Sequence, residues 1–345
     1  MTMSDVATES GLSRATVSLV LRDSPQIPEL TKQRVREAMG RLGYIYDHRA
    51  AAMRTQRTMT VGVVVTNVRN PYFAELSMAL EGVLHEHGFA LLQGYSHDDQ
   101  KREDRLLEEM VEHRVDGVFL VPSKETTSSD LSNRLGPAGT PLVLITRHVV
   151  GHEADYVGVD NVLAGQLLAE HLAGEGCRRI AFLGGPSRST ARSERERGLS
   201  LGLGRHRLAL DPALAIPTSA DRQGGIAAVH ALLAGGTPPD AIVCYSDVVA
   251  FGVESALREA GLEPGRDMAL ASFDDIAEAQ LQRPPLTSVA TYPELVGVEA
   301  ARLLLERLDA PDAKPRRVVL EPRLHVRASS TTRGRHPQDH EEGRS

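Results

Sequence analysis

Aromatic residues, cysteine and long apolar runs are all scarce in this chain. Aromatic residues make up 4% of the sequence and tryptophan is absent, so few side chains can stack on bases or sugar rings. The two cysteines, Cys177 and Cys244, are too few for a disulfide framework. The longest apolar strings, such as residues 61–65, are too short to span a bilayer, and no early segment has the form of a signal peptide. These absences predict a cytoplasmic protein.

Length and composition are those of a globular protein with more than one domain. At roughly 100 to 200 residues per domain, the 345 residues predict two or three domains, each able to bury a core. Apolar residues make up 41% of the chain and charged residues 25%, which excludes disorder throughout.

Charge is distributed unevenly along the chain. The net charge is −7, yet residues 1–60 contain nine Arg and Lys against six Asp and Glu, a balance of +3. Residues 61–345 therefore carry a balance of −10. A basic head before an acidic body is expected where only the head meets a polyanion such as DNA, although a balance of +3 is also compatible with a solvated surface.

Three short helices are predicted in the head. Thr2 and Asp5 have the spacing of a capping box, and the helix that they begin is expected to end near Gly11. Ser13 can cap a second helix, and a third spans residues 29–42. Their shared core is expected to contain Val17, Val20, Leu21, Val35, Ala38, Met39 and Leu42. This pattern describes a helix-turn-helix module or, more plainly, a small helical bundle.

A series of short motifs favours the first of these interpretations. The motifs are Asp5-Val6-Ala7, Gly11-Leu12-Ser13, Ala15-Thr16-Val17-Ser18, Thr31, Arg34-Val35 and Leu42-Gly43-Tyr44. Together they resemble the head of the lactose/galactose-repressor family of bacterial transcription regulators. The resemblance continues to about residue 328. It implies a helix-turn-helix domain in residues 1–45, a hinge helix and linker in residues 46–58, and an effector-binding and dimerisation domain in residues 59–328.

The resemblance also implies which head residues contact DNA. The family's base-reading positions fall on Arg14, Ala15 and Leu19, and its phosphate-contacting positions fall on Ser13, Thr16 and Ser18. Arg14 has the geometry for a guanine contact. Leu19 departs from the family, where this position is usually polar, and it predicts either contact with a thymine methyl or altered base reading.

Residues 46–57 match the family's hinge helix, which orders on operator DNA and inserts an apolar side chain into the minor groove. The inserted position is Met53, and Ala50 one turn earlier lets two hinge helices pack closely across a dimer. Arg54 and Arg57 are placed for phosphates. Tyr46 replaces the family's proline at the start of the hinge, and an ordinary linker is the alternative interpretation.

The body alternates short β-rich runs with amphipathic helical stretches, which predicts parallel sheets flanked by helices. The predicted strands are residues 60–66, 89–94, 117–121, 142–146, 156–160, 180–184, 241–245 and 268–273. The predicted helices include residues 73–87, 101–112, 162–174, 222–234, 248–260 and 294–308. Some 270 residues are too many for one such sheet, so the predicted α/β fold has two lobes and a cleft. It resembles the family's sensor domain, similar to periplasmic sugar-binding proteins.

Ligands of open α/β sheets bind beyond the carboxyl ends of the strands, where this sequence places several polar residues. The predicted effector-binding residues are Tyr72, Phe73, Thr146, Arg147, Arg195, Ser246, Asp247 and Asp274. Among them Arg195 and Asp274 are implied by the resemblance, with Arg195-x-x-Gly198 following the sixth strand. Thr146 and Ser246 replace the usual aspartate and asparagine, and residues 217–225 lack a ring-stacking aromatic. These departures are compatible with a neutral or unusual ligand and equally with a pocket that has lost its ligand. Capping of a helix by Asp160 or Asp247 is the alternative role for those two carboxylates.

No cofactor, metal site or catalytic motif is predicted. His85 and His87 lie two residues apart and do not share a helix face, and the segment 184–187 lacks the lysine of a phosphate loop. The tail from Ser329 is expected to be disordered and has no leucine heptads, which favours a dimer over a tetramer. The sequence thus predicts a homodimeric transcription regulator that binds operator DNA and a small, sugar-like effector. A repressor is favoured over an activator. The alternatives are a small-molecule binding protein with a decayed DNA-binding head, and an enzyme.

Overall fold

The computed structural model describes residues 1–21, 24–44, 57–135, 139–236 and 238–331. The chain divides into two compact units, Met1–Thr58 and Met59–Ser345. The first unit is helical and the second holds two β-sheets. Among the described residues, no helix is long and apolar enough to cross a membrane.

Three helices form the first unit: α1 (Met3–Ser10), α2 (Arg14–Leu21) and α3 (Glu29–Leu42). The predicted capping box between Thr2 and Asp5 is present at the start of α1. Helices α1 and α3 end at Gly11 and Gly43, whose φ values of 63° and 61° lie in the left-handed region that glycine adopts without a steric penalty. These local signals place the boundaries of α1 and α3 where the sequence predicts them.

The three helices bury one small apolar core. Its fully buried members are Val6, Ala7, Val17, Val20, Val35 and Ala38, and Leu21, Met39 and Leu42 pack against them. The predicted stripes of α2 and α3 are therefore confirmed. Because these side chains face inward, the opposite face of α2 is left for other contacts.

Two six-stranded sheets organise the second unit into two lobes. The first sheet contains β1 (Thr60–Val65), β2 (Ala90–Tyr95), β3 (Gly117–Leu120), β4 (Leu142–Ile145), β5 (Asp155–Val159) and β11 (Arg317–Leu320), in the order β11-β5-β4-β3-β1-β2. The second contains β6 (Ile180–Leu183), β7 (Ala215–Ile216), β8 (Ala241–Cys244), β9 (Ala269–Asp274), β10 (Thr287–Ala290) and β12 (Arg323–His325), in the order β12-β10-β9-β8-β6-β7. All pairings are parallel except that of β12 with β10, which is antiparallel. The predicted pair of parallel-sheet lobes is confirmed.

Helices cover both faces of each sheet. They are α4 (Pro71–Glu86), α5 (Gln100–Glu112), α6 (Ser128–Arg134), α7 (Asn161–Gly174), α8 (Thr190–Arg205), α9 (Arg222–Ala234), α10 (Asp247–Glu259) and α11 (Pro293–Asp309). Along β1, Val63 and Val65 join the apolar cluster on one face, whereas Val64 joins the cluster on the other. A strand covered on both faces is apolar throughout, as the run in β1 is.

The chain crosses between the lobes three times, and this was not predicted in detail. It leaves the first sheet after β5, returns after β10 to form α11, and crosses again between β11 and β12. Strands β7, β10, β11 and β12 were missed because they are short or carry polar and charged residues. Two helices were also missed: α6, which has only seven residues, and α8, whose sequence has no apolar stripe.

The tail expectation is wrong at its first two residues. Ser329 and Ser330 are 1% and 0% exposed, so they belong to the folded second lobe. The Ser329 hydroxyl donates to the Leu270 carbonyl over 2.6 Å and accepts from the Thr287 amide over 2.8 Å, which joins two strands. These small polar residues gave a prediction of disorder, because nothing in the local sequence indicates their hydrogen bonds to distant strands. Residues 332–345 lie outside the described part of the chain.

Helices α7 and α8 pack backbone against backbone through glycines. A Cβ at Gly198 would lie 2.1 Å from the Val162 carbonyl oxygen, and one at Gly165 would lie 2.3 Å from the Arg195 carbonyl oxygen. Neither contact leaves room for a methyl group, because the crowded atoms are main-chain atoms that cannot rotate away. The glycine of the Arg195-x-x-Gly198 motif therefore fixes how close the arginine-bearing helix lies to α7.

Gly198→Ala is expected to lower the free energy of unfolding by at least about 2 kcal/mol, because overpacking forces the two helices apart. Gly204→Ala, on the same helix but with no atom within 4 Å of the added methyl, is the matched control. It is expected to leave stability unchanged or to raise it by roughly 0.5 kcal/mol through helix propensity. Chemical denaturation of both variants tests this, and equal stabilities would contradict the packing argument.

Candidate functional site

The exposed side of α2 carries the predicted base-reading residues. Arg14 and Ala15 are exposed at the start of the helix, whereas Leu19 is half-buried. Arg14 has no carboxylate partner among the described residues. The Thr16 amide donates to the Ser13 hydroxyl over 3.0 Å, which confirms Ser13 as the helix cap. This first turn presents one free cation next to a small side chain, a combination that suits close approach to a base edge.

The remaining DNA-contact predictions are placed only in part. Thr16 and Ser18 are half-buried on α2, and Arg57, the last residue predicted for the hinge helix, is half-buried. Ala50, Met53 and Arg54, the predicted hinge residues, lie outside the described residues. Their roles stay predictions.

A cavity of about 660 Å³ lies between the two lobes of the second unit. It opens at the carboxyl ends of the strands, as the sequence predicts. Six of the eight predicted effector residues line it: Tyr72, Phe73, Thr146, Arg147, Arg195 and Asp274. Its size falls within the range of small-molecule sites, about 300 to 1,000 Å³.

Arg195 is the centre of a buried polar cluster in this cavity. Its Nε donates to the Asn161 side-chain oxygen over 2.9 Å, and its Nη1 donates to the Tyr245 carbonyl. Its Nη2 lies 3.6 Å from Asp274 Oδ1, and Asn70 donates to the other carboxylate oxygen of Asp274 over 3.3 Å. Each nitrogen of the guanidinium thus has a partner, which is what a buried arginine requires.

Two aromatic rings lie close to the guanidinium of Arg195. Its central carbon lies 4.5 Å from the centre of the Phe273 ring and 5.0 Å from that of Tyr245. Burial raises the pKa of Asp274 to about 6, against the opposing effects of Arg195 and Asn70. The cluster therefore offers a ligand a fixed cation and a carboxyl group that gains a proton just below neutral pH.

Three sets of hydrogen bonds join the lobes across the cleft. Asn70 of the first lobe binds Asp274 of the second, as described above. Arg147 donates to Asp98 over 2.7 Å and reaches the Tyr245 hydroxyl of the other lobe over 3.4 Å. The Thr190 hydroxyl accepts from the His148 amide and donates to the His148 carbonyl, both over 3.1 Å. Apolar contacts join the lobes as well, since Val248 and Ile276 of the second lobe belong to the same buried cluster as Tyr72 of the first.

Thr146 lines the cleft in a strained conformation. Its φ of 60° lies in the left-handed region, which is a genuine outlier for a β-branched residue. Its amide nevertheless donates to the Val157 carbonyl over 2.9 Å, so the neighbouring strand holds it there. Such strain costs on the order of 1–3 kcal/mol and is typical of ligand sites.

The expectation that Ser246 and Asp247 line the cleft is corrected by their geometry. Ser246 caps α10, where its hydroxyl accepts from the Val249 amide. Asp247 is fully buried beneath the strands and accepts from the Ser288 hydroxyl over 2.7 Å and the Ile276 amide over 2.8 Å. Burial raises its pKa to about 8. Its carboxylate turns toward the sheet because β9 and β10 supply donors there.

Capping, the alternative for the two aspartates, holds for one of them. Asp160 caps α7 by accepting from the Leu163 amide over 2.9 Å, whereas Asp247 caps nothing. The predicted set misses Asn70, Asn161, Asp98 and Tyr245. All four come shortly after the end of a strand. The ends of strands were therefore the right places to look, but the prediction did not include every cleft residue found there.

Glu103 holds the loop that forms one wall of the cleft, although its own side chain lies outside the cavity. Its buried carboxylate accepts from the Ser123 amide over 2.6 Å and the Thr126 hydroxyl over 2.5 Å, and so holds the loop that carries Lys124 into the cavity. Burial raises the pKa of Glu103 to about 7, with the two hydrogen bonds opposing. Among the described residues, no group of three or more His, Cys, Asp and Glu is arranged to hold a metal ion.

The two units define a helix-turn-helix head joined to a two-lobed binding domain. Residues 2–47 match the family described as bacterial regulatory proteins, lacI family, and residues 169–330 match the periplasmic binding protein-like domain. The HTH-type transcriptional regulator CelR of Thermobifida fusca is 32% identical over 335 residues, which cover 95% of this chain and 98% of CelR. The ribose operon repressor of Haemophilus influenzae is 27% identical over 328 residues, covering 95% and 98%.

Two solved structures extend the comparison. The complex of transcriptional regulator CelR with cellobiose has a TM-score of 0.71 at 31% identity, covering 95% of this chain and 99% of that one. The lac repressor dimer bound to operator and an anti-inducer has a TM-score of 0.81 at 22% identity, covering 96% and 99%, which shows the shared fold. The chain belongs to the lacI family of bacterial regulatory proteins. It is a ligand-responsive, DNA-binding transcription regulator.

The free energy of unfolding is expected to depend on the protonation of Glu103. Because its pKa rises from 4.5 to about 7 on folding, the stabilisation is complete below pH 4.5 and is lost as the pH rises through 7. Glu103→Gln mimics the protonated form, so wild type should lose roughly 2–3 kcal/mol relative to this variant between pH 4.5 and 8. Urea denaturation across this range measures the difference. The exposed Glu112→Gln on the same helix is the control, and parallel profiles for all three proteins would refute the assignment.

Proposed function

We propose that this protein is a homodimeric repressor that binds a near-palindromic operator and responds to a polyhydroxylated ligand in the cleft between its lobes. The proposal takes the ligand to be bound and not converted, since the relatives that match nearly the whole chain are named transcription regulators and repressors. The place of action is the cytoplasm, where the operator DNA is.

The observation that carries the proposal is the hydrogen bond from Asn70 to Asp274, which joins the lobes inside the cavity. A ligand hydroxyl that binds Arg195 or Asp274 competes with this bond or adds to it. Either way the ligand has different affinities for the open and closed lobes, and this difference is what shifts a conformational equilibrium. The same chain carries the helix-turn-helix head, so a shift between lobe arrangements changes its affinity for DNA.

Cavity chemistry supports a sugar as the ligand class. Arg195 and Asp274 provide charged donors and acceptors for hydroxyl groups, and Tyr72 and Phe73 provide an apolar wall. The volume of about 660 Å³ accommodates more than one sugar ring. In the related CelR structure the bound molecule is the disaccharide cellobiose, so di- and oligosaccharides are the first ligands to screen.

Base reading by Arg14 gives the first test. Selection from a random duplex pool should enrich a palindrome, because a two-fold symmetric dimer reads two inverted half-sites. Arg14→Gln should weaken operator binding about 10- to 100-fold and relax one position of each half-site. Arg41→Gln is the control, because it removes the same charge from a side chain that pairs with Glu9 over 2.8 Å.

The outcome separates this function from its rival. Equal losses on operator and random DNA in Arg14→Gln would assign Arg14 to phosphate binding and contradict base reading. No enriched motif even at low salt would favour a small-molecule binding protein whose head no longer reads DNA. Hinge residue Met53 stays a prediction, and Met53→Ala in the same assay shows whether an inserted side chain contributes.

Arg195 gives the second test. Arg195→Ala should abolish ligand-induced change in operator affinity while the ligand-free protein still binds operator, because the predicted base-reading residues belong to the helix-turn-helix head. Arg195→Lys should restore little, since an ammonium group cannot bond Asn161, Tyr245 and Asp274 together. Exposed Arg197→Gln on the same helix is the control. Titrations of labelled operator with a saccharide panel provide the measurement, and a full response in Arg195→Ala would overturn the assignment.

A further inference from the structure

The cleft turn, defined as residues 274–276 at the end of β9, has an unusual backbone. The φ values of Asp274 and Asp275 are 108° and 55°. Two successive residues other than glycine with positive φ are strained, and such a conformation persists only where neighbouring groups fix it. The hydrogen bonds that hold this turn therefore decide where its side chains lie.

The cleft turn places one side chain in the ligand cavity and another between the lobes. Asp274 lines the cavity, where its Oδ1 lies 3.6 Å from Arg195 and its Oδ2 accepts from Asn70 of the first lobe over 3.3 Å. Ile276 is buried in the same apolar cluster as Tyr72 of the first lobe. A displacement of the turn would therefore change the ligand contacts and the packing between the lobes together.

Asp247 holds the backbone of the cleft turn. Its side chain is fully buried at the start of α10, and its Oδ2 accepts from the Ile276 amide over 2.8 Å. Its Oδ1 accepts from the Ser288 hydroxyl of β10 over 2.7 Å, and the same hydroxyl accepts from the Asp275 amide over 3.0 Å. Ser272 of β9 also donates to Oδ1. Two consecutive amides of the turn are thus bonded to Asp247, one directly and one through Ser288.

The position of Asp247 separates it from the other roles available at this point of the chain. It is not among the described residues that line the ligand cavity. The cap of α10 is its neighbour Ser246, whose hydroxyl accepts from the Val249 amide. Burying a carboxyl group is unfavourable unless its oxygens are hydrogen-bonded, and here the donors come from the turn and from the two strands beside it.

We propose that Asp247 is a positioning residue of the ligand site. Its buried carboxyl group fixes the cleft turn and so holds Asp274 at the ligand and Ile276 against the first lobe. This role rests on the proposed function, because Asp274 is the ligand-binding residue through which Asp247 acts. A carboxyl group that served only the stability of the second lobe would affect all strands of its sheet alike, whereas a positioning residue affects the turn first.

Hydrogen exchange of the full-length protein tests the proposal without a ligand. Asp247→Ala should speed exchange of the Ile276 amide about tenfold or more, because this amide loses its acceptor, while exchange in β6 of the same sheet stays within about twofold. Asp247→Asn should restore most of the protection, since its side-chain oxygen can still accept from Ile276. Ser246→Ala is the matched control, because it removes a helix cap next to Asp247 without touching the turn.

A second variant keeps the test decisive if Asp247→Ala does not fold. Ser288→Ala leaves the carboxyl group in place and removes its bridge to the Asp275 amide. Exchange of the Asp275 amide should then rise about tenfold, again with little change in β6. Unchanged exchange of this amide in a folded Ser288→Ala would contradict the proposal.

Calorimetric titration with cellobiose and the other saccharides of the panel gives the second readout. Asp247→Ala should weaken the binding of a saccharide that binds wild type about tenfold or more, whereas Asp247→Asn and Ser246→Ala should weaken it less than about threefold. The proposal is overturned if Asp247→Ala speeds exchange in β6 as much as in the turn, or leaves the exchange of the turn or the saccharide affinity unchanged. If no saccharide binds wild type, the proposed ligand class fails, while the exchange rates still decide whether Asp247 holds the turn.

Discussion

The burial of the Arg195 guanidinium is the constraint on which the ligand-binding unit depends. A charged group out of water is tolerated only where its donors are paired, and here the partners come from a chain crossing (Asn161), a strand end (Asp274) and a main-chain carbonyl at the end of β8 (Tyr245). The arginine reaches them only because α8 lies against α7 at glycine distance, with Gly165 facing the carbonyl of Arg195 itself. Helix packing, strand ends and crossings thus converge on one side chain.

This arrangement separates rigid lobes from a weak junction. Each lobe has apolar clusters on both faces of its sheet, whereas the lobes meet through a smaller apolar contact at Val248 and Ile276 and through hydrogen bonds such as that from Asn70 to Asp274. A hydrogen bond contributes only about 1 kcal/mol net, so the balance between lobe arrangements is small beside the stability of either lobe. A ligand with a few well-placed hydroxyls therefore has enough differential binding energy to shift that balance without disturbing the cores.

The sequence predicted those features of the fold that depend on interactions between residues close together in the chain. The capping box at Thr2, the glycine ends of α1 and α3 and the eight predicted strands all fell close to where they were expected, because each depends on residues close in sequence. The errors concern side chains whose partners are remote. Asp247 turns to Ser288, Ser329 bonds Thr287, and Asn70 meets a residue 204 positions away. Such remote contacts decide which of the residues at strand ends face the cleft. Position at a strand end alone therefore does not identify a cleft residue.

The loop of residues 122–126 connects these themes, because it carries Lys124 into the wall of the ligand cleft. Its position is fixed from behind by Glu103, and from the cleft side its Pro122 carbonyl accepts from Arg147 over 3.1 Å. Arg147 in turn reaches the Tyr245 hydroxyl of the other lobe, whose main-chain carbonyl accepts from Arg195. A continuous chain of hydrogen bonds therefore runs from a buried carboxylate in the first lobe to the central arginine of the second.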